Sequence, residues 1–493
     1  MNWKPDRTLS ISLANQIVHW ITEQILNGHW PNGTKLPAQR QLALSLGVNR
    51  STLQEAIDEL KADGILCSKI GSSTFVSNDS WNILVKQKQP NWQKYIETSI
   101  HKANYQTIQL INEFEQDESI IRLSTGELSP SLLPTEKIQH SLQHLKLDGK
   151  AIGYSSPQGS LALRQALVHY LKKRNIETTV GNICIVSGGL QALQLIAVGL
   201  LEPGSTVLQE EYSYLNSVHP FQSYGMNLHS ISSSTEQMVI QKKLSGQNIY
   251  YAIPTLHNPT GAIWSQQRKE QFYEQCLAAN LPIIEDDVYF ELAFEKLSPP
   301  LKAIDSAGQV VYLGSVSKTL SPGLRIGWVV APIPVIKRIA DIKMQMDYGS
   351  SAFSQEIVTH WLTNGLYEEH IITLKSELQK RALYMEKLLI QHFSDIASWE
   401  KSKGGFYIWL KFHQPIVTSE LFYKLLKQKI LINPGYIYEP KDTFHIRLSY
   451  AYASEDELKV GLICLQKNVS EKLKIKTEYK IFSKNIDSHN SFN

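Results

Sequence analysis

The stretch Tyr312-Leu-Gly-Ser-Val-Ser-Lys318-Thr-Leu-Ser-Pro-Gly-Leu-Arg325-Ile-Gly327 decides how the larger part of this chain folds and what chemistry it carries. It sets a lysine among short hydroxyl residues just past an apolar run, Val310 to Leu313, that reads as a strand, with an arginine shortly downstream. A lysine so placed can form a Schiff base with an aldehyde while Ser315, Ser317 and Arg325 hold a phosphate. The natural aldehyde phosphate is pyridoxal 5'-phosphate (PLP). Standing alone, the run would sooner be a surface lysine in a serine-rich turn, so the decision rests on what precedes it.

Two upstream segments fit the same cofactor. Ile283-Ile-Glu-Asp286-Asp-Val-Tyr289 is a buried-strand pattern that ends in acids, which puts Asp286 where it can stabilise a protonated pyridine nitrogen. Tyr289 and the amide of Asn258, in Pro254-Thr-Leu-His-Asn258-Pro-Thr-Gly261, can reach the ring's phenolic oxygen. Each position taken singly has a structural reading, Asp286 as a helix cap and Asn258 as a turn residue. Taken together they favour the cofactor.

In this order the residues resemble fold type I PLP enzymes of the aspartate aminotransferase class, over roughly residues 116 to 475. The resemblance implies Lys318 as the Schiff-base lysine, Asp286 as pyridine partner, Asn258 and Tyr289 at the phenolic oxygen, and Ser315, Ser317 and Arg325 at the phosphate. It implies Tyr214 as the ring-stacking aromatic, Tyr154 reaching the partner subunit's cofactor, and Arg447 gripping an effector α-carboxylate, with Gly126 lining that end of the site. The phosphate cup, Val186-Ser-Gly-Gly189-Leu190-Gln-Ala-Leu, departs from the family pattern. A hydroxyl and an amide side chain are usual where this chain has Gly189 and Leu190, so only backbone donors remain and weaker PLP binding is expected. The apolar runs Ile183–Val186, Thr206–Leu208, Ile249–Ile253, Leu281–Ile284, Val310–Leu313 and Ile326–Val330 alternate with helical patterns. They predict an α/β body with a mostly parallel, doubly wound sheet, plus a smaller C-terminal α+β lobe from about residue 340.

The first seventy-odd residues read differently. Leu13, Ile17, Ile21 and Ile25 fall at helical spacing and Gly28 closes that pattern; Pro37 opens a second helix that stops at Gly47; Asn49 caps a third. Residues 65 to 76 then read as two short strands around a glycine turn. Three helices and a hairpin make a winged helix-turn-helix, and the motifs Gly33-Thr-Lys-Leu-Pro37-Ala-Gln-Arg40, Leu42 to Thr52 and Gly71-Ser-Ser-Thr-Phe75-Val resemble the GntR class of repressor heads. The resemblance implies that Arg40, Asn49, Arg50, Ser51, Thr52 and the wing residue Gly71 face DNA. Lys and Arg barely outnumber Asp and Glu over residues 1–78, so charge alone does not reveal this.

Joined in one chain, these parts resemble the MocR family of transcription regulators. The expected layout is a DNA-binding head (1–77), a polar linker (78–115) holding Trp81, Trp92 and Tyr95, an aminotransferase class I/II-like PLP-binding body (116–476) and a polar tail (477–493). The resemblance implies a PLP-dependent regulator that senses PLP, an amino acid or an amine by aldimine formation, and binds a double-stranded DNA operator as a domain-swapped homodimer. A working aminotransferase carrying an appended helix-turn-helix module is the other reading. Over 493 residues with net charge +3, nothing suggests a membrane surface. Cys67, Cys184, Cys276 and Cys464 lie far apart without metal-ligand spacing, and apolar runs such as Ala192 to Leu201 are too short to span a bilayer, so a metal-free cytoplasmic protein is expected.

Overall fold

The computed structural model describes residues 3–8, 11–26, 29–31, 33–69, 73–77, 95, 98–101, 104–145, 149, 153–232 and 246–489. They fall into two compact units, residues 1–99 and 100–493.

In the first unit, helices α1 (Leu13–Leu26), α2 (Gln39–Leu46) and α3 (Arg50–Ala62) precede strands β1 (Leu66–Lys69) and β2 (Ser73–Val76). The helical spacing of Ile17, Ile21 and Ile25 lays one apolar stripe of α1 against Leu53, Ala56, Ile57 and Leu60 of α3, all buried. Truncating Leu53 or Ile57 to alanine would cost about 2–5 kcal/mol. The second helix starts two residues later than Pro37 suggested. The reason is pairing: Leu36 N–H donates to Thr74 O (2.9 Å) and Val76 N–H to Thr34 O (2.9 Å), so the chain stays extended against β2 up to the proline. Gly47 ends α2 in the left-handed region (φ 70°). Asn49 does stand at the start of α3, but its side-chain oxygen takes the Thr52 hydroxyl (3.2 Å) instead of a backbone N–H. The hairpin is antiparallel, Leu66 opposite Val76. Gly28, Gly71, Trp81 and Trp92 lie outside the described residues.

The second unit opens with a helix the linker reading had understated: α4 (Gln106–Phe114) buries Ile108 and Ile111 in the body core. The main sheet runs in the order Ile183–Val186 (β4), Gly327–Val330 (β10), Val310–Ser315 (β9), Ile283–Asp286 (β8), Asn248–Ala252 (β7), Thr206–Glu210 (β5) and Asn227–Ile231 (β6), with β3 (Ile121–Arg122) elsewhere. Pairings from β9 to β6 are parallel, while β10 runs antiparallel to both neighbours. Strands such as Ile-Cys-Ile-Val are buried throughout, as a sheet covered on both faces requires. Asn227–Ile231 escaped the sequence reading because it is a polar edge strand, its histidine and serine exposed. The C-terminal lobe holds a four-stranded sheet built on strands Tyr407–Phe412 and His445–Ser449, packed by the long helices Leu366–Phe393 and Glu455–His489. The expected tail from residue 477 thus continues a helix as far as His489.

Candidate functional site

Parallel pairing brings the C-terminal ends of β8 and β9 to one sheet edge, and there a cavity of about 370 Å³ opens. Its walls include Gly126, Gly189, Leu190, Tyr214, Asn258, Asp286, Tyr289, Ser315, Ser317, Lys318, Arg325 and Arg447, gathered from segments far apart in sequence. A larger groove of about 1400 Å³ lies along Gln247, Gln275, Pro282 and Gln309, but among the described residues Glu274 is the only ionisable one in its wall. The ionisable side chains gather at the smaller one.

Lys318 follows β9 directly, and its Nζ donates to the Gly126 carbonyl (2.6 Å). Gly126 is glycine for a reason of space: a Cβ there would meet the Tyr407 hydroxyl at 2.6 Å. Asp286 is buried, and its Oδ2 accepts the Tyr251 hydroxyl (2.8 Å) while its Oδ1 makes no hydrogen bond of ordinary geometry, with the Val288 amide close by. Burial pushes the Asp286 carboxyl up from its ordinary range, against Tyr251 and the nearby Lys318 charge. A buried carboxylate in a cavity wall is what a cationic ring nitrogen would satisfy. Tyr214 is pushed up to about 12 by burial and by Asp286, so it stays a protonated phenol.

The helix Gly189–Leu200 points its N-terminus at the cavity. Gly188, at φ 90°, lets the Arg325 guanidinium pass; a Cβ would stand 2.8 Å from its Nη2, which donates to Ser187 O (2.6 Å). Ser187 N–H donates in turn to Gln191 Oε1 (2.7 Å), which braces the turn. Ser315 is partly committed to its own loop, reaching Ile326 O (2.9 Å) and accepting Ser317 N–H (3.1 Å).

Arg447 closes the other end. Its Nη1 donates to Asn258 Oδ1 (2.8 Å), its Nη2 to Ser124 O (2.7 Å), and its guanidinium lies 4.1 Å above the Tyr407 ring centroid. Because a guanidinium only donates, Asn258 must turn its oxygen to the arginine and its NH2 group the other way. Tyr289 shares a 3.0 Å hydrogen bond with Tyr407. Tyr154 is not among the residues lining this chain's cavity; it is 85% exposed, its ring lying 5.2 Å from that of Tyr348.

The sequence reading missed Tyr251, Tyr407, Tyr438, Ser124 and Glu115. Tyr251 and Tyr407 sit inside apolar strands and look like core residues, although the paired glycines before Tyr407, Gly404 and Gly405, both at positive φ, mark an unusual approach of backbones. Glu115 follows a stretch that reads as linker and gives no signal.

In the first unit, Arg40 on α2, Asn49 at the N-cap of α3, and Arg50 and Ser51 in its first turn are exposed, and Thr52 is half-buried. Gly71 is not among the described residues.

Residues 13–76 match the model of bacterial regulatory proteins of the gntR family, and residues 118–463 match aminotransferase class I and II. YisV, an uncharacterized HTH-type transcriptional regulator of Bacillus subtilis, is 45% identical over 93% of this chain and 96% of its own length. The chain belongs to the MocR family. A second relative of this MocR protein is the HTH-type transcriptional regulator NorG of Staphylococcus aureus, 36% identical over 87% of the chain and 98% of NorG. Among solved structures, its body resembles an archaeal alanine:glyoxylate aminotransferase (TM-score 0.72, 26% identity, 78% of this chain, 100% of that one). It also resembles the kynurenine aminotransferase of Pyrococcus horikoshii (TM-score 0.70, 27%, 76% and 96%). A fold shared with those enzymes and a head shared with regulators account together for nearly the whole MocR chain.

Proposed function

We propose that this protein is a DNA-binding transcription regulator that holds an operator with its head and reads PLP, together with an amino acid or amine, in the cavity around Lys318. The observation that carries this reading is the presence, in one chain, of an exposed helix start bearing Arg50 and Ser51 and a cavity that gathers Lys318, Asp286 and Arg447. The family relatives are named as regulators, which favours this over the aminotransferase reading.

The residues present fit PLP. Asp286 would meet the ring nitrogen, Tyr214 the ring face, Asn258 and Tyr289 the phenolic oxygen. The start of helix Gly189–Leu200 with Ser317 and Arg325 would meet the phosphate, Ser315 chiefly bracing the loop. When bound, PLP supplies an aldehyde that takes up a primary amine and a ring that draws electrons. Lys318 would be the residue that holds that aldehyde in the absence of an effector. Arg447 orients an effector carboxylate with its fork, already braced by Asn258 and Ser124. Tyr154 would reach the partner subunit's cavity in a domain-swapped dimer. An effector that favours one dimer geometry then shifts operator affinity by its differential binding energy, about 1–3 kcal/mol.

The test is retardation of a fragment of the protein's own promoter. Wild type should bind paired sites in a salt-sensitive manner, PLP should change that affinity about 5-fold or more, and Lys318→Ala should lose the PLP response. Arg50→Ala should weaken DNA binding and leave the PLP spectrum unchanged. Transamination on the order of 1 to 1000 per second, with no retarded band at low salt, would establish the enzyme reading instead.

A further inference from the structure

The cavity's charges do not cancel once its expected occupants are assigned. Its ionisable wall residues, tyrosines aside, are Lys318, Arg325 and Arg447 against Asp286, Glu115 and Glu127. On the reading above, Lys318 and Arg325 answer the aldehyde and phosphate, Asp286 answers the ring nitrogen, and Arg447 answers one effector carboxylate. Glu115 and Glu127 remain. Glu127 is exposed, whereas Glu115 is half-buried just past helix α4, with Asn112, Ile108 and Ile111 of the same segment also in the wall. Glu115 Oε1 accepts the Thr125 hydroxyl (3.1 Å), and Glu115 has no basic group within ion-pair distance among the described residues. Burial pushes its carboxyl up, while the Thr125 hydroxyl and the fields of Arg447 and Lys318 oppose the shift.

We infer that Glu115 selects the effector's side chain, and that the preferred effector class is an α-amino acid carrying a second, cationic amine. The physical reasons act in both directions. A side-chain ammonium gains a charge-assisted hydrogen bond in a partly desolvated wall, and a side-chain carboxylate meets a like charge there. A neutral aliphatic side chain leaves the acid as it is. Discrimination should therefore rank cationic above aliphatic above acidic side chains of similar length.

This assignment rests on the proposed reading of Arg447 and the cofactor, and calorimetry on the PLP-loaded full chain separates the two. L-Ornithine and L-lysine should bind about 10- to 100-fold tighter than L-norvaline and L-norleucine, which match their carbon chains without the terminal amine, and L-glutamate should bind weakest. Glu115→Gln should collapse that ranking while the affinity for norvaline and the visible PLP band stay unchanged, which shows that the variant is folded and loaded. Norvaline binding as well as ornithine in wild type, or Glu115→Gln weakening both equally, would overturn the role of Glu115 and leave the effector reading standing. Binding of none of these amino acids to the loaded protein would overturn both.

Discussion

Two neighbouring glycines at one helix start should respond to substitution in opposite directions. At Gly189 a Cβ would meet nothing nearer than Val288 Cγ1 at 3.9 Å, an ordinary contact, and the residue lines the cavity. Gly189→Ser places a hydroxyl in the first turn of helix Gly189–Leu200. A hydrogen bond from a neutral donor to a phosphate is worth about 1.5–3 kcal/mol, whereas the roughly 0.5 kcal/mol of helix propensity gained on exchanging glycine for serine stabilises apo and loaded protein alike. Fixing the serine rotamer costs back a few tenths to about 1 kcal/mol, so PLP should bind about 1–2 kcal/mol tighter, a Kd lower by about 5- to 30-fold. Gly188 is different in kind. It sits at φ 90° and ψ 171°, a conformation close to glycine-only, and a Cβ would lie 2.8 Å from Arg325 Nη2. Gly188→Ala should cost about 1–3 kcal/mol in backbone strain alone, and it forces the guanidinium off Ser187 O, so both Tm and PLP affinity fall. The assay is titration of each apo protein with PLP, read by visible absorbance, with a melt for each variant. Equal or weaker PLP binding by Gly189→Ser, in a variant that melts like wild type, would refute the placement of the phosphate at this helix start.

Three further outcomes follow from the geometry. Arg447→Lys keeps a charge but loses the fork that spans Asn258 and Ser124, so amino-acid affinity should fall by about 1.5–3 kcal/mol by calorimetry with PLP binding retained; an unchanged affinity would remove Arg447 from the effector site. Tyr251→Phe removes the one side-chain donor to Asp286 and should weaken PLP by about 1 kcal/mol in the same absorbance titration, whereas an unaltered Kd would mean that Tyr251 does not support the ring-nitrogen partner. His370 Nε2 lies 2.9 Å from the Thr319 carbonyl beside Lys318, and burial holds its pKa below the ordinary 6.5. A histidine whose folded pKa is depressed stabilises fully above its unfolded value and loses that contribution as pH falls below about 6.5, so the Tm gap between wild type and His370→Gln should shrink from pH 8 to pH 5, and a constant gap would count against it.

What the sequence made legible follows from how local each feature is. The Lys318 run, the Asp286 strand and the Asn258 turn each combine a buried apolar strand with a polar residue at its end. Such a pattern announces itself because a strand interior has no use for a charge. The helices of the head were legible from the spacing of Ile17, Ile21 and Ile25 and of Leu53, Ile57 and Leu60. Harder to read were residues whose role depends on a distant neighbour. Tyr407 looks like one more core aromatic until Gly126 and Arg447 are brought to it across the fold. Pro37 looked like a helix start until the pairing of residues 34–36 with β2 was known. Glu115 ends a helix of mixed polarity whose buried face is fixed only by the body it packs on.

The strand Ile283–Asp286 and the residue after it carry the argument furthest, because three consecutive buried acids cannot be tolerated on one face. Strand alternation divides them. Glu285 accepts the Leu301 and Lys302 amides (2.7 and 2.8 Å), and Asp287 accepts the Tyr312 hydroxyl (2.9 Å) and lies 3.7 Å from Arg174. Arg174, itself buried, is held by Tyr312 (2.5 Å) and Glu291 (2.7 Å), so this side has its own counter-charge. Asp286 lines the cavity, with the Tyr251 hydroxyl on one oxygen and the Val288 amide close by. A buried carboxylate left in that state is unfavourable by roughly the desolvation of a polar group, about 1–3 kcal/mol or more for a charge. Folding alone does not recover that energy. A cationic ring nitrogen would, so on the proposed reading part of the cofactor's binding energy would be the release of a cost built into this sheet edge.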